Sequence, residues 1–190
     1  LLPNDLKNID ACFSPGTCIT TNFEDEIAKK FGIKSFMIDG SVEESSLDLN
    51  AKFFHFQKIW LADFNSQNTI TLSKWIDQSS FSGSSNLILQ MDIEGAEYQT
   101  IISTPYDYLN KFKILVIEFH NLFRLKNQRF LNQRFLPVVE KLLNSFDCVH
   151  IHPNNCCGTS NIHGFSIPNV LEVTFYLSLI HISEPTRRTT

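Results

Sequence analysis

The segment Asp92-Ile93-Glu94-Gly95-Ala96-Glu97 carries three carboxylates in the spacing D-x-E-G-x-E, and it follows directly on the mainly apolar run Leu87 to Met91. A short buried strand of an α/β sheet has this composition, and ligands of such sheets gather outside the carboxyl ends of the strands. Asp92 and Glu94 fall at that end, where a carboxylate can act as a general base or grip a polar acceptor. Gly95 removes a Cβ where the chain turns into the next helix, or where a ligand must approach the backbone. An acidic helix start favoured by the helix dipole is the competing reading, and three acids in so short a stretch exceed what it needs. Glu118 and His120 close a second apolar run and share one side of it by the period of two, as His150 and His152 do further on. If these strands end together, Glu118, His120 and His152 converge on Asp92 and Glu94. We read that convergence as a hydrogen-bonded base network, since His is a common general base. The same oxygen and imidazole set could hold a divalent ion, but nothing in the spacing demands one and no metal is assigned.

The elements that must position these groups alternate. Asp10 to Phe13 is expected as a first strand, and Thr21-x-x-Glu24 has the pattern of a capping box for the helix carrying Phe23, Ile27 and Phe31. Lys34 to Ile38 is a second strand ending in Asp39-Gly40, and Phe53 to Leu61 is a third. A short helix over Leu72 to Ile76, a Ser/Gly-rich loop from Ser79 to Ser85, the strand Leu87 to Met91, a helix from Ala96 to Ile102 and the strand Ile114 to Phe119 follow. The positions Leu131, Phe135, Val138, Val139, Leu142 and Phe146 make a helical stripe, and strands near Cys148 to His152 and Val170 to Phe175 finish the chain. This order predicts an α/β fold with a mainly parallel sheet, helices on both faces and a terminal antiparallel hairpin.

Four segments carry a resemblance. D-I-E-G-A-E at 92–97, K-I-L-V-I-E-F-H at 113–120, H-I-H-P-N-N at 150–155 and I-P-N-V-L-E-V-T at 167–174, in that order, resemble the FkbM family of S-adenosylmethionine-dependent methyltransferases, over Phe13 to Phe175. The resemblance implies a Rossmann-like class I methyltransferase fold, S-adenosylmethionine as cofactor, and O-methylation of a hydroxyl on a sugar, glycan or small metabolite. A doubly wound sheet holds its nucleotide across the first strand-to-helix turn, with an acid after the second strand on the ribose. That assigns Ser14 and Gly16 to the first turn and Asp39 to the ribose hydroxyls, with a turn-forming Asp-Gly pair as the competing reading. Trp60 and Leu61 then lie against the adenine and Asp92 beside the methyl group, with catalysis shared among Asp92, Glu94, Glu118, His120 and His152. Glu97, on the following helix, is expected as a cap. The first loop has the single glycine Gly16 where methyltransferases usually carry several, which keeps open a binding protein of this fold without turnover. A metal-dependent hydrolase using Asp92, Glu118, His120 and His152 is the third reading.

The remaining composition narrows the partners. With 190 residues, 43% of them hydrophobic, the chain can bury one sizeable core, and one domain over residues 1–176 is expected. A net charge of −4 and a pI of 5.8 give no basic footprint for nucleic acid or an anionic membrane, and no run is long enough to span a bilayer. A small-molecule or glycan acceptor fits that balance. Arg124, Lys126, Arg129 and Arg134 form a basic segment, read as a solvated helix face or, if folded over the pocket, an attractor of acidic acceptors. The five cysteines form no C-x-x-C pair and suggest neither a disulfide framework nor a standard zinc site. The start Leu1-Leu2-Pro3 is expected to be an N-terminal truncation. Residues 177–190 resemble a translated sequencing adapter and are expected to be a non-native tail. Compartment and oligomeric state are not encoded in any of these features.

Overall fold

The computed structural model describes residues 3–18, 20–47, 52–154 and 157–178. A seven-stranded sheet forms its centre. Strands β1 (Ala11–Pro15), β2 (Lys34–Ile38) and β3 (Phe54–Gln57) run outward in one direction, with α1 (Asn22–Phe31) connecting the first two. After the two-residue strands β4 (Trp60–Leu61) and β5 (Thr69–Ile70) and the helix α2 (Leu72–Gln78), the chain returns to the middle. There β6 (Leu87–Met91) pairs with the other side of β1. Helices α3 (Glu97–Ser103) and α4 (Tyr106–Leu109) lead to β7 (Phe112–Phe119). The segments α5 (Gln128–Phe130) and α6 (Leu136–Leu143) then lead to β8 (Phe146–Pro153), the hairpin of β9 (Thr159–Ile162) and β10 (Phe165–Pro168), and β11 (Leu171–Leu177).

The strand order β3-β2-β1-β6-β7-β11-β8 is parallel except at β11, which inserts antiparallel between β7 and β8. This is a Rossmann-like arrangement, a mainly parallel sheet with one antiparallel strand near its edge. The expected terminal antiparallel pair is β8 with β11, and the β9–β10 hairpin is an excursion between them. The sequence placed the third strand across Phe53 to Leu61. In the structure β3 stops at Gln57, and Trp60 and Leu61 belong to a separate small parallel pair with β5. Leu177 still pairs with Phe146, and the amide of Ser178 donates to the Ser145 carbonyl; residues 179–190 of the expected tail lie outside the described residues.

Alternation along the strands sorts the core onto two faces, as the pleat requires. Phe13, Leu87, Leu89, Leu115 and Ile117 pack under Trp75, Ile76, Ile101, Val138 and Leu142 of α2, α3 and α6. Cys12, Ile88, Ile114 and Val116 face the other way, toward Ile27 of α1 and Leu6. Gly32, at φ 70°, ends α1 in the left-handed conformation, and its amide donates to the Ala28 carbonyl as a C-cap. The expected capping box is absent, because the Thr21 side chain makes no cap bond and Glu24 is buried beneath the first loop. The stripe from Leu131 runs through a π turn at Leu131–Phe135 into α6. Pro137 explains that turn: it has no N–H to give, and its ring would collide with the carbonyl four residues back. Phe146 is the first residue of β8 and not the last of the stripe.

Candidate active site

Two strand ends make the site. The chain winds outward from β1 through β2 to β3 and then crosses to β6, so β1 and β6 are neighbours whose connections leave in opposite directions. Such a switch point opens a crevice at the carboxyl ends of the strands. Gly16 closes its floor: its φ of 82° is left-handed, its amide donates to the Ile38 carbonyl, and a Cβ built on it would stand 1.5 Å from the Asp92 carbonyl oxygen. Only glycine fits there.

A cleft of about 260 Å³ opens beside this contact, and Gly16, Asp39, Trp60, Leu61, Asp92 and Glu94 are among its lining residues. The backbone at Gly40 lies flat under the Trp60 indole, where a Cβ would come within 2.2 Å of Cε2. Trp60 is half exposed, while Leu61 is buried behind it. Asp39 is buried, and its carboxylate accepts from the Cys18 amide at 3.2 Å and from the Ser41 amide and hydroxyl at 2.7 and 2.6 Å. The turn-forming role is therefore present, and the same side chain lines the cleft. Ser14 points elsewhere. It faces α1, with its hydroxyl 2.5 Å from Glu24 Oε1 and 2.8 Å from Gln90 Oε1.

The far end of the cleft is a cluster of acids around one imidazole. Met91 pairs with Ile117, so the parallel register sets Asp92 beside Glu118, one residue past each partner. His120 follows two residues on. The ligating atoms of Asp92, Glu118 and His120 lie within 4.8 Å of one another, a group that could hold a divalent ion. His120 Nδ1 is 2.6 Å from Glu97 Oε1, while its Nε2 is 3.6 Å from Asp92 Oδ1 and 3.4 Å from Glu94 Oε2. The Tyr98 hydroxyl donates to the His120 carbonyl, and the Asn154 side-chain amide donates to Glu118 Oε1 at 2.7 Å. Glu94, with φ 55°, and Asn121, with φ 61°, both adopt left-handed backbone at this cluster, a costly conformation for residues with a Cβ that concentrates at functional sites.

The electrostatics follow from this crowding. Burial raises the Asp92 carboxyl to about 7, and the Glu118 carboxylate, hydrogen-bonded to it, adds to the rise against the opposing pull of His120. Burial works against a charge on His120, but the Glu97 hydrogen bond and the Glu97, Asp92 and Glu94 charges outweigh it and lift the imidazole to about 9. At neutral pH the ring is thus held protonated, and Asp92 sits near half-ionisation. One buried oxygen, Asp92 Oδ1, has no hydrogen-bond partner among the described residues, and neither has Glu97 Oε2.

No family model matches the sequence, and no curated protein matches it. In overall shape the chain is similar to a precorrin-6y C5,15-methyltransferase from Geobacter metallireducens GS-15, with 10% identity over 92% of this chain and 85% of that one, and a TM-score of 0.44. It is also similar to the methyltransferase domain of bacterial CtHen1-CN, with 11% identity over 88% of this chain and 90% of that one, and a TM-score of 0.41.

Of the residues singled out from sequence, the structure brings Asp92, Glu94, Glu118 and His120 together, and it sets Gly16, Asp39, Trp60 and Leu61 around the adjoining cleft. His152 is not with them. Glu118 and His152 each face Glu172 across β11, which puts two strand spacings, about 10 Å, between them. Glu97 is the residue underrated by sequence: fully buried, it accepts from the Gly95 amide and clamps His120. Its signal was the third acid of D-x-E-G-x-E. Arg124 lies over the Phe130 ring and Arg129 bonds Gln133, as on a solvated helix face. Asn155 and Cys156 lie outside the described residues. No helix among the described residues is long and apolar enough to cross a membrane.

Proposed function

We propose that this protein is an S-adenosylmethionine-dependent methyltransferase that methylates a hydroxyl of a sugar, glycan or small metabolite. The observation that supports the reading best is the continuity of one cleft from Asp39 and Trp60, past the Gly16 floor, to the Asp92 and Glu94 carboxylates. Asp39 would hold the ribose hydroxyls, the Trp60 indole and Leu61 the adenine, and the Cβ-free surface at Gly16 the approach of the cofactor to the backbone. Bound there, S-adenosylmethionine supplies an electrophilic methyl group. The chain's own task is to orient an acceptor hydroxyl for in-line attack and to take its proton. Asp92, with a pKa near the working pH and Glu118 at its side, is suited to receive that proton. Protonated His120, fixed by Glu97, supplies the positive charge that keeps the paired carboxylates close. Glu94, exposed at the rim, is placed to grip the acceptor.

Isothermal titration with S-adenosylmethionine and S-adenosylhomocysteine tests the reading. Saturable binding of both, weakened by substitution at Asp39, is expected. Absence of binding by the folded protein would refute it.

A further inference from the structure

The α1 face of the sheet holds a cavity of about 410 Å³ that is separate from the cleft described above. It exists because α1 is the one helix packed on this face among the described residues, while α2, α3 and α6 all lie on the other. One wall is the apolar stripe of α1, where Phe23 and Phe31 stand half-buried a turn to either side of Ile27. The floor is a row of paired strand residues. Gln90 of β6 pairs with Val116 of β7, Val116 with Thr174 of β11, and Thr174 with His150 of β8. Glu172 lies one step nearer the cluster of acids, opposite Glu118. Thr174 is only 7% exposed, and neither its hydroxyl nor the Glu172 carboxylate nor the His150 ring makes a hydrogen bond with any described residue. An apolar chain laid on this floor would strip water from those three groups without replacing it, at roughly 1–3 kcal/mol for each. No lysine or arginine is among the lining residues, while Glu26 and Glu172 are, which disfavours an anionic guest. A sugar ring suits both surfaces, since its face carries C–H groups and its rim carries hydroxyls.

We propose that this cavity is a saccharide subsite: it takes a sugar unit without acidic groups, its C–H face against Phe23 and Phe31 and its hydroxyls on Gln90, Glu172, Thr174 and His150. The proposal rests on the proposed function and narrows its acceptor to a chain of sugar units. Gln90 precedes Asp92 by two residues at the end of β6, roughly 7 Å along the strand. A unit held in the cavity therefore leaves its neighbour in the chain beside the acid assigned to take the proton. The basic segment from Arg124 to Arg134, which the sequence offered as an attractor of acidic acceptors, contributes no residue to this lining.

Backbone amide spectra of the isotope-labelled protein test it. Glucose, galactose, mannose, N-acetylglucosamine and glucosamine are titrated singly into the millimolar range, with glucuronic acid as the anionic control and octanol as the apolar one. At least one of the five sugars should move the Gln90, His150, Glu172 and Thr174 signals saturably, and glucuronic acid should bind at least about tenfold more weakly than that sugar. Glu172→Gln keeps the shape of the side chain and should weaken the bound sugar about 5- to 10-fold, the difference between a charge-assisted and a neutral hydrogen bond, with the signals outside the cavity in place. Signals that stay in place with all five sugars overturn the proposal, and so does full affinity in Glu172→Gln. Octanol moving the signals when the sugars do not also overturns it, by making the cavity an acyl site. S-adenosylhomocysteine, titrated separately, keeps this proposal apart from the function it rests on. Its binding with no sugar effect leaves methyl transfer standing without the subsite, and a sugar effect without its binding leaves the subsite standing without methyl transfer.

Discussion

Glu97 Oε1 lies 2.6 Å from His120 Nδ1, so a fully buried carboxylate on α3 fixes the ring that follows β7. This contact fixes which ring nitrogen faces the acids: Nδ1 is taken, and Nε2 looks toward Asp92 and Glu94.

Glu97→Gln should therefore lower the His120 pKa from about 9 toward its ordinary value. The folded pKa is the raised one, so the contribution of this group to stability is full below about 6.5 and is lost as pH rises through about 9. The variant should melt well below the parent at pH 6 and close to it at pH 9.5. Equal losses at both pH values in a melting series would show that the buried carboxylate acts by packing alone.

Asp92→Asn has the same sign of pH dependence but the opposite effect on stability. The Asp92 carboxyl is raised to about 7, so it favours the fold at low pH and that advantage is lost as pH rises through about 7. At pH 8 the amide should raise Tm by about 2–4 °C, the shift that roughly 1 kcal/mol gives in a domain of this size. Turnover with a labelled methyl donor and a competent acceptor should fall at least ~10²-fold, and cofactor binding should persist. Glu94→Gln should show the same separation of binding from chemistry. Full activity in both variants would move the base elsewhere.

Gly16→Ala should abolish cofactor binding and lower Tm, because the new methyl group would meet the Asp92 carbonyl at 1.5 Å on a left-handed backbone. Gly83→Ala, where nothing lies within 4 Å, is the matched control and should leave binding unchanged. Normal titration curves from Gly16→Ala would refute the close contact of the two strand ends.

Asp39→Asn should weaken S-adenosylmethionine by about 1–3 kcal/mol through lost charged hydrogen bonds. Its Oδ1 can still accept from Ser41, so thermal melting should change less than in Asp39→Ala, which removes three local bonds as well. Unchanged affinity in the amide variant would place the ribose away from Asp39.

Chelation distinguishes a base network from a metal site. A divalent ion would have to displace the proton that the surrounding carboxylates favour on His120. Treatment with EDTA should leave methyl transfer intact. Loss of activity restored by magnesium or manganese would make Asp92, Glu118 and His120 a ligand set instead.

The strand ends were legible because they are local. The run Leu87 to Met91 is the strand the structure contains, and its acids sit where an apolar run must stop. The register that puts Asp92 beside Glu118 was inferable from two such runs ending in carboxylates. His152 was misplaced because its period of two is correct while its strand is not adjacent: β11 comes between, and no pattern in β8 announces that. Glu24 matched a capping box in sequence, yet the box needs its carboxylate turned back to the Thr21 amide and the Thr21 hydroxyl on the Glu24 amide. The Ser14 hydroxyl, brought close only by the fold, draws that acid inward. Trp60 was assigned to the cleft as the end of a third strand from Phe53 to Leu61 in the fold the resemblance implies, although it belongs to a two-residue pair too short to be read from periodicity.

The insertion of β11 between β7 and β8 has a consequence for synthesis. Among the described residues β8 bonds within the sheet only to β11, so residues 146–153 have no place in the sheet until residues 171–177 have emerged from the ribosome. The central strands that carry Gly16, Asp39, Asp92 and Glu118 can pair earlier, in parallel and largely in order. Vectorial assembly would thus build the cleft first and its outer edge later, and a stalled chain ending near residue 170 would hold the Asp92 and Glu118 carboxylates in a sheet still lacking two strands.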